Sequence, residues 1–190
     1  MKNLIRVSLA LVLIGTSTAL RAQTAEVSGG SMAITLDPTL YAALETHGII
    51  TTLGPSAGNV THSDTILSGL FDMPTGHGEF ATKGQMKFTG PDGEVVTVLQ
   101  LGLDTTGAIP AIYGYVYADG VYVKREPIFY ITAARGMDSQ LKYGTTNCGM
   151  LMTLSPYFQS LLGVSFHTSA LVGYKGYSIL KTTLDLEKPQ

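Results

Sequence analysis

Residues 84–101 have the sequence GQMKFTGPDGEVVTVLQL. Both halves of this stretch carry the alternating or β-branched pattern of strands, and Gly90-Pro91-Asp92-Gly93 separates them. Proline presets φ at the first turn position and glycine accepts a positive φ, as a tight turn requires. The stretch therefore predicts a β-hairpin.

Strand-like segments continue on both sides of this hairpin. A second hairpin is predicted at 112–124, because Asp119-Gly120 at its centre favours a tight hairpin turn. Five further strands are predicted at 31–36, 49–53, 128–132, 150–154 and 177–186. We expect a mostly β fold, a sandwich or partly open barrel of about nine strands.

Two segments, 32–44 and 150–162, break the β pattern and align with each other without a gap. In each, a strand ends at Thr-Leu, and Asp37 or Ser155 follows as a residue type that caps helices. A proline comes next, at the first helical position, where its missing N–H costs nothing. Each segment therefore predicts a strand that runs into a short helix.

The two short helices are expected at 37–47 and 155–162, and Gly48 and Gly163 are expected to end them in left-handed caps. Their apolar residues fall on one face at helical spacing. We expect these faces to close an open end of the sheet. The repeated motif leaves open whether the domain is pseudo-symmetric.

Residues 1–22 have the pattern of a signal peptide: basic residues, an uncharged apolar run over 7–20, and a small residue, Ala22, at the cleavage position. The apolar run is shorter than the roughly 20 residues that a membrane-spanning helix needs. We expect export to the periplasm or medium, and a mature chain from Gln23 as a single domain, 23–190, without an integral membrane span. Cleavage after Ala19 is the alternative.

The mature chain would carry nine basic and fourteen acidic residues, a net charge of about −5. Nucleic-acid binding rewards clustered Lys and Arg, so this composition argues against a nucleic-acid partner. The single cysteine, Cys148, cannot form an internal disulfide. We expect it to be buried, since free cysteine packs as a small apolar residue.

The order of motifs along residues 29–132 resembles that of the HtaA-type domain of exported haem-uptake proteins. The resemblance is carried by the helix entry at 35–38, the glycine-punctuated segment 71–80, the strand and turn at 87–93, and the strand end at 101–104. It implies a β-rich exported domain that binds haem.

The resemblance implies that haem lies between an iron-ligating tyrosine on the first helical segment and a histidine in the turn. These two positions fall on Ala43 and Pro91, neither of which has a ligating atom. Tyr41 is the nearest tyrosine, but a helical residue two positions away points to a different face. We expect no cofactor bound in the family's manner, with Tyr41 as an alternative haem ligand.

Three histidines, His47, His62 and His77, invite a metal hypothesis because imidazole is a common zinc ligand. Their spacing is not that of a metal site, and each is predicted to lie in a polar or glycine-rich loop. No metal site is therefore expected, and His77, in Gly76-His77-Gly78-Glu79, is the one to test first.

Tyrosines 113, 115 and 117 alternate along one predicted strand and so share one face of it. Such a row can be an interaction surface, since tyrosine offers a large contact area with a polar tip. It can equally be the half-buried face of a sheet.

No catalytic motif is present: there is no nucleophile elbow, no phosphate-binding loop and no dinucleotide fingerprint. The sequence favours an exported, non-catalytic binding or cell-envelope-associated domain with an unknown small-molecule or protein partner. HtaA-like binding of haem or a metal is the alternative, and an extracellular enzyme of unrecognised type is the third possibility.

Overall fold

The computed structural model describes residues 24–53, 61–135 and 141–189. The signal peptide predicted at 1–22 lies outside these ranges, as does Gln23. The first half of the fold comprises β1 (Thr24–Thr35), α1 (Pro38–Thr46), β2 (Ile50–Leu53), β3 (Thr61–Asp72), β4 (His77–Thr82) and β5 (Gln85–Thr89). The second half comprises β6 (Val95–Asp104), β7 (Ala111–Ala118), β8 (Val121–Arg135), β9 (Gly144–Leu154), α2 (Pro156–Ser165) and β10 (Tyr177–Glu187).

Eight of the strands form a closed antiparallel barrel in the order β6-β4-β3-β1-β10-β9-β8-β7, with β7 pairing back onto β6. Strands β5 and β2 continue outward from the first half of β6. The prediction of a mostly β fold of about nine strands with two short helices is confirmed. Each barrel strand therefore has a partner strand on both sides, although β8 pairs with β9 only from Phe129 onward.

A bulge in β6 allows two strands to share one of its edges. Residues 95–99 pair with β5, and residues 102–104 pair with β4. Between them the register with β7 shifts, and Gln100 adopts a φ of 52°. Thr82 stabilises this corner, because its hydroxyl donates to the Leu101 carbonyl at 2.8 Å.

Two strands, β3 and β4, were not predicted, and their histidines do not lie in loops as expected. His62 belongs to β3 and His77 begins β4, while His47 is the residue at the end of α1. Their segments contain Gly69 and Gly78, which resemble loop residues. The structure requires glycine there, because a Cβ at Gly69 would overlap the Glu79 carbonyl and one at Gly78 the Leu70 carbonyl.

Both helices lie at the same end of the barrel. Strands β1 and β9, which lead into them, each pair antiparallel with β10 and are therefore parallel to each other. The predicted caps are present: the Asp37 carboxylate accepts from Thr39 N at 2.8 Å, and Ser155 Oγ accepts from Phe158 N at 3.1 Å. Leu40, Leu44, Phe158 and Leu162 are all buried.

The predicted end of the second helix is wrong. Gly48, with a φ of 69°, follows α1 as expected, but α2 continues past Gly163 to Ser165. His167 adopts the left-handed φ of 49° instead. Gly163 has a different role, because a Cβ there would lie 2.9 Å from the Thr168 carbonyl oxygen, where the chain turns back over the helix.

Apolar side chains from the strands and both helices fill the barrel interior, as expected for a barrel of eight strands. Cys148 on β9 is 5% exposed, in agreement with its predicted burial. Within the described ranges, neither helix has the length and apolarity that a membrane span needs.

Candidate functional site

A slot between two tyrosines opens beside the helical end of the barrel. Tyr130 on β8 and Tyr177 on β10 both pair in register with Thr153 on β9, which lies between them. In-register residues on neighbouring strands share a face of the sheet. The two tyrosines therefore flank a small threonine, with their Cα atoms about 10 Å apart.

The opposite side of the slot comes from α2 and from the chain between α2 and β10. The first turn of α2 contributes Pro156, Gln159 and Ser160, and the following segment contributes Val172, Tyr174 and Lys175. Together with the three strands they line an open cavity of about 490 Å³. This volume lies within the range of small-molecule sites, which are mostly apolar with a few polar groups.

Gln159 fixes the segment 171–177 onto the helix. Its side chain is buried, and its Nε2 donates to the carbonyls of Leu154 and Tyr174, at 2.9 Å each. Leu171 is buried below the segment, and Tyr174 N donates to the Leu171 carbonyl at 3.1 Å. The slot wall is therefore held by packing and by hydrogen bonds, although most of it is a loop.

Tyr174 joins this wall to the start of α1. Its hydroxyl lies 2.9 Å from Thr39 Oγ1 and close to the Asp37 carboxylate. Burial raises the pKa of Tyr174 to about 12, with a further contribution from Asp37. A Cβ at Gly176 would overlap both the Tyr174 hydroxyl and Asp37 Oδ2, so glycine allows this close approach.

Asp37 is a helix cap and a partner of the slot wall at once. Burial by itself raises the pKa of Asp37, but hydrogen bonds from the side chain and backbone of Thr39, with smaller ones from Tyr174 and Tyr177, lower it overall. The carboxylate is thus stabilised in its charged form.

The chemistry of the slot suits a flat, apolar molecule with a negatively charged edge. Two aromatic side chains flank its floor, and Tyr177 is 55% exposed and accessible from solvent. Lys175, also exposed, lies at the rim and supplies a positive charge. Tyr174 is a poor source of a phenolate because its pKa is raised to about 12.

The residues at the positions implied by the family resemblance lie elsewhere. Ala43 packs half-buried against the core, and Tyr41 is half-buried on α1. Pro91 is exposed, and a Cβ at Gly48, just after α1, would lie 3.3 Å from Pro91 Cβ. The turn therefore lies next to the end of α1. Tyr41, Ala43 and Pro91 do not line the slot, and Gly48 does not either.

The histidines are not brought together. His47 and His77 are both exposed, and the backbone N–H of His77 donates to Thr75 Oγ1 at 3.2 Å. Among the described residues no group of three His, Cys, Asp or Glu side chains is arranged to hold a metal ion.

The tyrosine row on β7 faces outward. Tyr113, Tyr115 and Tyr117 alternate with the buried residues Ile112, Gly114 and Val116. Arg125 on β8 lies over the Tyr113 ring, 5.0 Å from its centroid, and Tyr122 packs against Tyr115 and Tyr117. The row thus forms an aromatic surface that is separate from the slot.

Sequence reasoning did not find the slot. Tyr130 and Tyr177 are far apart in the chain and carry no shared motif. Only the register of β8, β9 and β10 places them on either side of Thr153. The strands themselves were predicted, but pairing partners and register were not.

Two solved structures from Corynebacterium glutamicum share this architecture. The C-terminal domain of HtaA matches with a TM-score of 0.62 and 15% identity, over 86% of this chain and 99% of that domain. HtaB, described as a heme binding protein, matches with a TM-score of 0.54 and 10% identity, over 88% of this chain and 98% of its own. No family model and no curated protein sequence matches the chain. The protein therefore has the fold of an HtaA-type domain.

Proposed function

We propose that this protein is an exported, non-catalytic binding domain for haem or a closely similar planar tetrapyrrole, held in the slot between Tyr130 and Tyr177. The slot carries the proposal: an aromatic-flanked cavity of about 490 Å³ with a lysine at its rim. The fold shared with HtaB, a heme binding protein, supports this ligand class over others.

The chain departs from the ligation that the family resemblance implies. Ala43 and Pro91 have no atom that binds iron, so haem held in the family's manner does not fit these residues. The slot, in contrast, offers Tyr130 and Tyr177 to a flat ring system, and aromatic side chains favour stacked and edge-on contacts with such rings. Ring contacts rather than an iron–histidine bond supply the affinity in this proposal.

The rim of the slot suits the propionate side chains of haem. Lys175 is exposed, and its ammonium group can pair with a carboxylate at the cavity mouth. Exposed ion pairs contribute little free energy, so the lysine orients the ligand more than it holds it. The tyrosine walls bury the apolar part.

In this proposal, iron ligation comes from a tyrosine hydroxyl of the slot, since the slot is lined by three tyrosines. Among the slot tyrosines, Tyr174 is disfavoured because its raised pKa keeps the hydroxyl protonated. Tyr130 and Tyr177 remain, and Tyr41 on α1 is the competing ligand outside the slot.

The test is a titration of residues 23–190 with haemin, in which binding is measured from the absorbance of the Soret band. We expect saturable binding that weakens at least about tenfold, or 1.4 kcal/mol, in Tyr177→Ala. Tyr143→Ala is the matched control, because Tyr143 is also exposed but lies at the other end of β9. It should bind like the unaltered protein.

Metal-free protoporphyrin IX distinguishes ring contacts from iron ligation. Comparable affinity for protoporphyrin and haemin supports the slot as proposed. Absence of saturable haemin binding contradicts the function. Binding that survives Tyr177→Ala but is lost in Tyr41→Phe would keep haem as the ligand and contradict the slot as its site.

A further inference from the structure

A second concave site lies on the outer wall of the barrel, away from the slot. It crosses β3, β4, β6, β7 and β8, which are consecutive neighbours in the barrel, and has a volume of about 530 Å³. None of its lining residues belongs to the slot, so an inference about this groove is independent of the proposed function.

Small residues lie in register beneath the groove, and two of them, Ser68 and Ala81, line it. Ser68 on β3 pairs with Ala81 on β4, Ala81 pairs with Gly102 on β6, and Gly102 pairs with Tyr113 on β7. Three neighbouring strands thus present little side-chain bulk along one row. The result is a trough that runs across the strands until it meets the tyrosine row.

Larger side chains stand on both sides of this floor. Leu70 and Glu79, which pair with each other across β3 and β4, form one side. Gln100, Tyr115 and Arg125 form the other, and Tyr115 and Arg125 pair across β7 and β8. The groove therefore has an apolar residue or an aromatic ring and a charged group on each side.

Gln100 is placed in the groove by an unusual backbone conformation. Its φ of 52° is in the left-handed region, where non-glycine residues are uncommon and glutamine has no local advantage. Such strain recurs at binding sites, where the fold holds a side chain in position. Here the bulge in β6 exposes the Gln100 side chain on the groove wall.

The hydrogen-bonding groups of the lining are mixed. Glu79 only accepts, Arg125 only donates, and Gln100 and Ser68 do both. Among the described residues, Glu79 and Arg125 are not joined in an ion pair, and the contact of Arg125 is with the Tyr113 ring. A ligand rich in hydroxyl groups satisfies all four, since each hydroxyl can donate and accept.

A peptide is a poorer match than a polyol. Peptides that add to a sheet bind through the free backbone groups of an edge strand. Ala81 on the floor strand β4 is paired on both sides, with Ser68 and Gly102, so the floor of the groove offers side chains rather than free backbone groups to a ligand. Tyr115, 36% exposed, supplies an aromatic side chain on the groove wall for contact with the C–H groups of a sugar.

We propose that this groove binds a neutral oligosaccharide, with Tyr115 as the stacking platform and with Glu79, Gln100 and Arg125 as hydrogen-bonding partners. The neighbouring Tyr117 and Tyr122 extend the aromatic surface beyond the groove. A chain of several sugar units can therefore follow the tyrosine row out of the trough.

In the experiment, residues 23–190 are titrated separately with cellohexaose, maltohexaose and chitohexaose, and binding is measured by isothermal titration calorimetry. We expect at least one of the three to bind saturably, and Tyr115→Ala to weaken that binding at least about tenfold. Tyr177→Ala removes an exposed tyrosine from the other cavity and should leave saccharide affinity unchanged. This control also separates the groove from the haem slot.

A second variant, Ala81→Phe, fills the floor of the trough without removing any polar group. A thermal melt of each variant shows whether it is folded. If Tyr115→Ala does not fold, Ala81→Phe tests the groove in its place. Binding that persists in a folded variant contradicts the proposal, as does the absence of binding to all three hexaoses at millimolar concentration. A concentration-dependent dimer that Tyr115→Ala abolishes would assign the groove to a second copy of the chain instead.

Discussion

The ring of Phe88 on β5 meets the ring of Phe158 on α2 nearly edge-on, with centroids 5.6 Å apart and an interplanar angle of 64°. Strand β5 lies outside the eight-stranded barrel, so this contact ties the β2–β5 extension to the helix. Near it, Gly90 packs against Phe166, where a Cβ would lie 2.7 Å from the ring. The predicted hairpin is thus attached to α2 through aromatic contacts.

We expect Phe88→Ala and Phe158→Ala each to lower the free energy of unfolding by about 3–5 kcal/mol, because both rings are buried. The double variant should lose less than the sum of the two. An interaction free energy of about 0.5–1.5 kcal/mol is expected for an edge-on aromatic pair. Urea denaturation of the four proteins measures it, and strict additivity would show that the rings pack independently.

Leu44→Ala and Leu162→Ala should each cost about 2–5 kcal/mol in unfolding free energy. Both leucines are buried on the helix faces that cover the end of the barrel. Val164→Ala on α2 is the control, since Val164 is 76% exposed and its truncation should change stability by less than about 0.5 kcal/mol. If both leucine variants had the same melting temperature as the unaltered protein, the helices would not be covering the core.

Asp37→Ala should cost about 1 kcal/mol through the lost helix cap, and the effect should depend on pH. The folded protein lowers the pKa of Asp37 below 3.8, so the charged carboxylate stabilises the fold above that value. This contribution is lost as the pH falls through the lower, folded pKa. Ser155→Ala removes the cap of α2 without a titrating group, and its cost should stay constant over the same pH range.

Tyr174 should ionise at a higher pH than an ordinary tyrosine. Its pKa of about 12 exceeds the ordinary 10.0, so the neutral hydroxyl stabilises the fold below pH 10, and this stabilisation is lost as the pH rises towards 12. Tyrosinate absorbance of the folded protein should therefore show a late step that Tyr174→Phe removes. A titration unchanged by Tyr174→Phe would contradict the hydrogen-bonded environment of this hydroxyl.

Processing is tested by the mass of the exported chain. The small residue Ala22 and the short apolar run before it predict cleavage in front of Gln23. Intact mass spectrometry of periplasmic or secreted protein should give the mass of residues 23–190. Exported protein that keeps residues 1–19 would contradict the signal peptide.

Local chemistry in the sequence predicts much of this fold. The Pro-Asp-Gly and Asp-Gly turns mark their hairpins, and Asp37 and Ser155 mark the helix starts, because each acts through neighbours in the chain. Strands β3 and β4 were not predicted because glycine is typical of loops but also occurs where two paired strands approach closely. Gly69 and Gly78 serve the second purpose, and nothing in the neighbouring sequence indicates it.

The two cavities depend on pairing between distant segments. The slot exists because Tyr130 and Tyr177 share the register of Thr153, and the groove because Ala81 and Gly102 align. A shift of one residue in either pairing would turn these side chains to the other face. Sequence periodicity gives the faces of each strand but not which strands meet, so neither site is visible before the fold is known.

The antiparallel pairing of β1 with β10 determines where a fused partner or tag can be attached relative to the slot. Strand β1 begins, and β10 ends, at the barrel end opposite the helices, where Glu26 pairs with Glu187. The slot at Tyr177 lies about 33 Å away along β10. A partner fused directly before Thr24 or after Glu187 would therefore be attached at the end of the barrel opposite the slot.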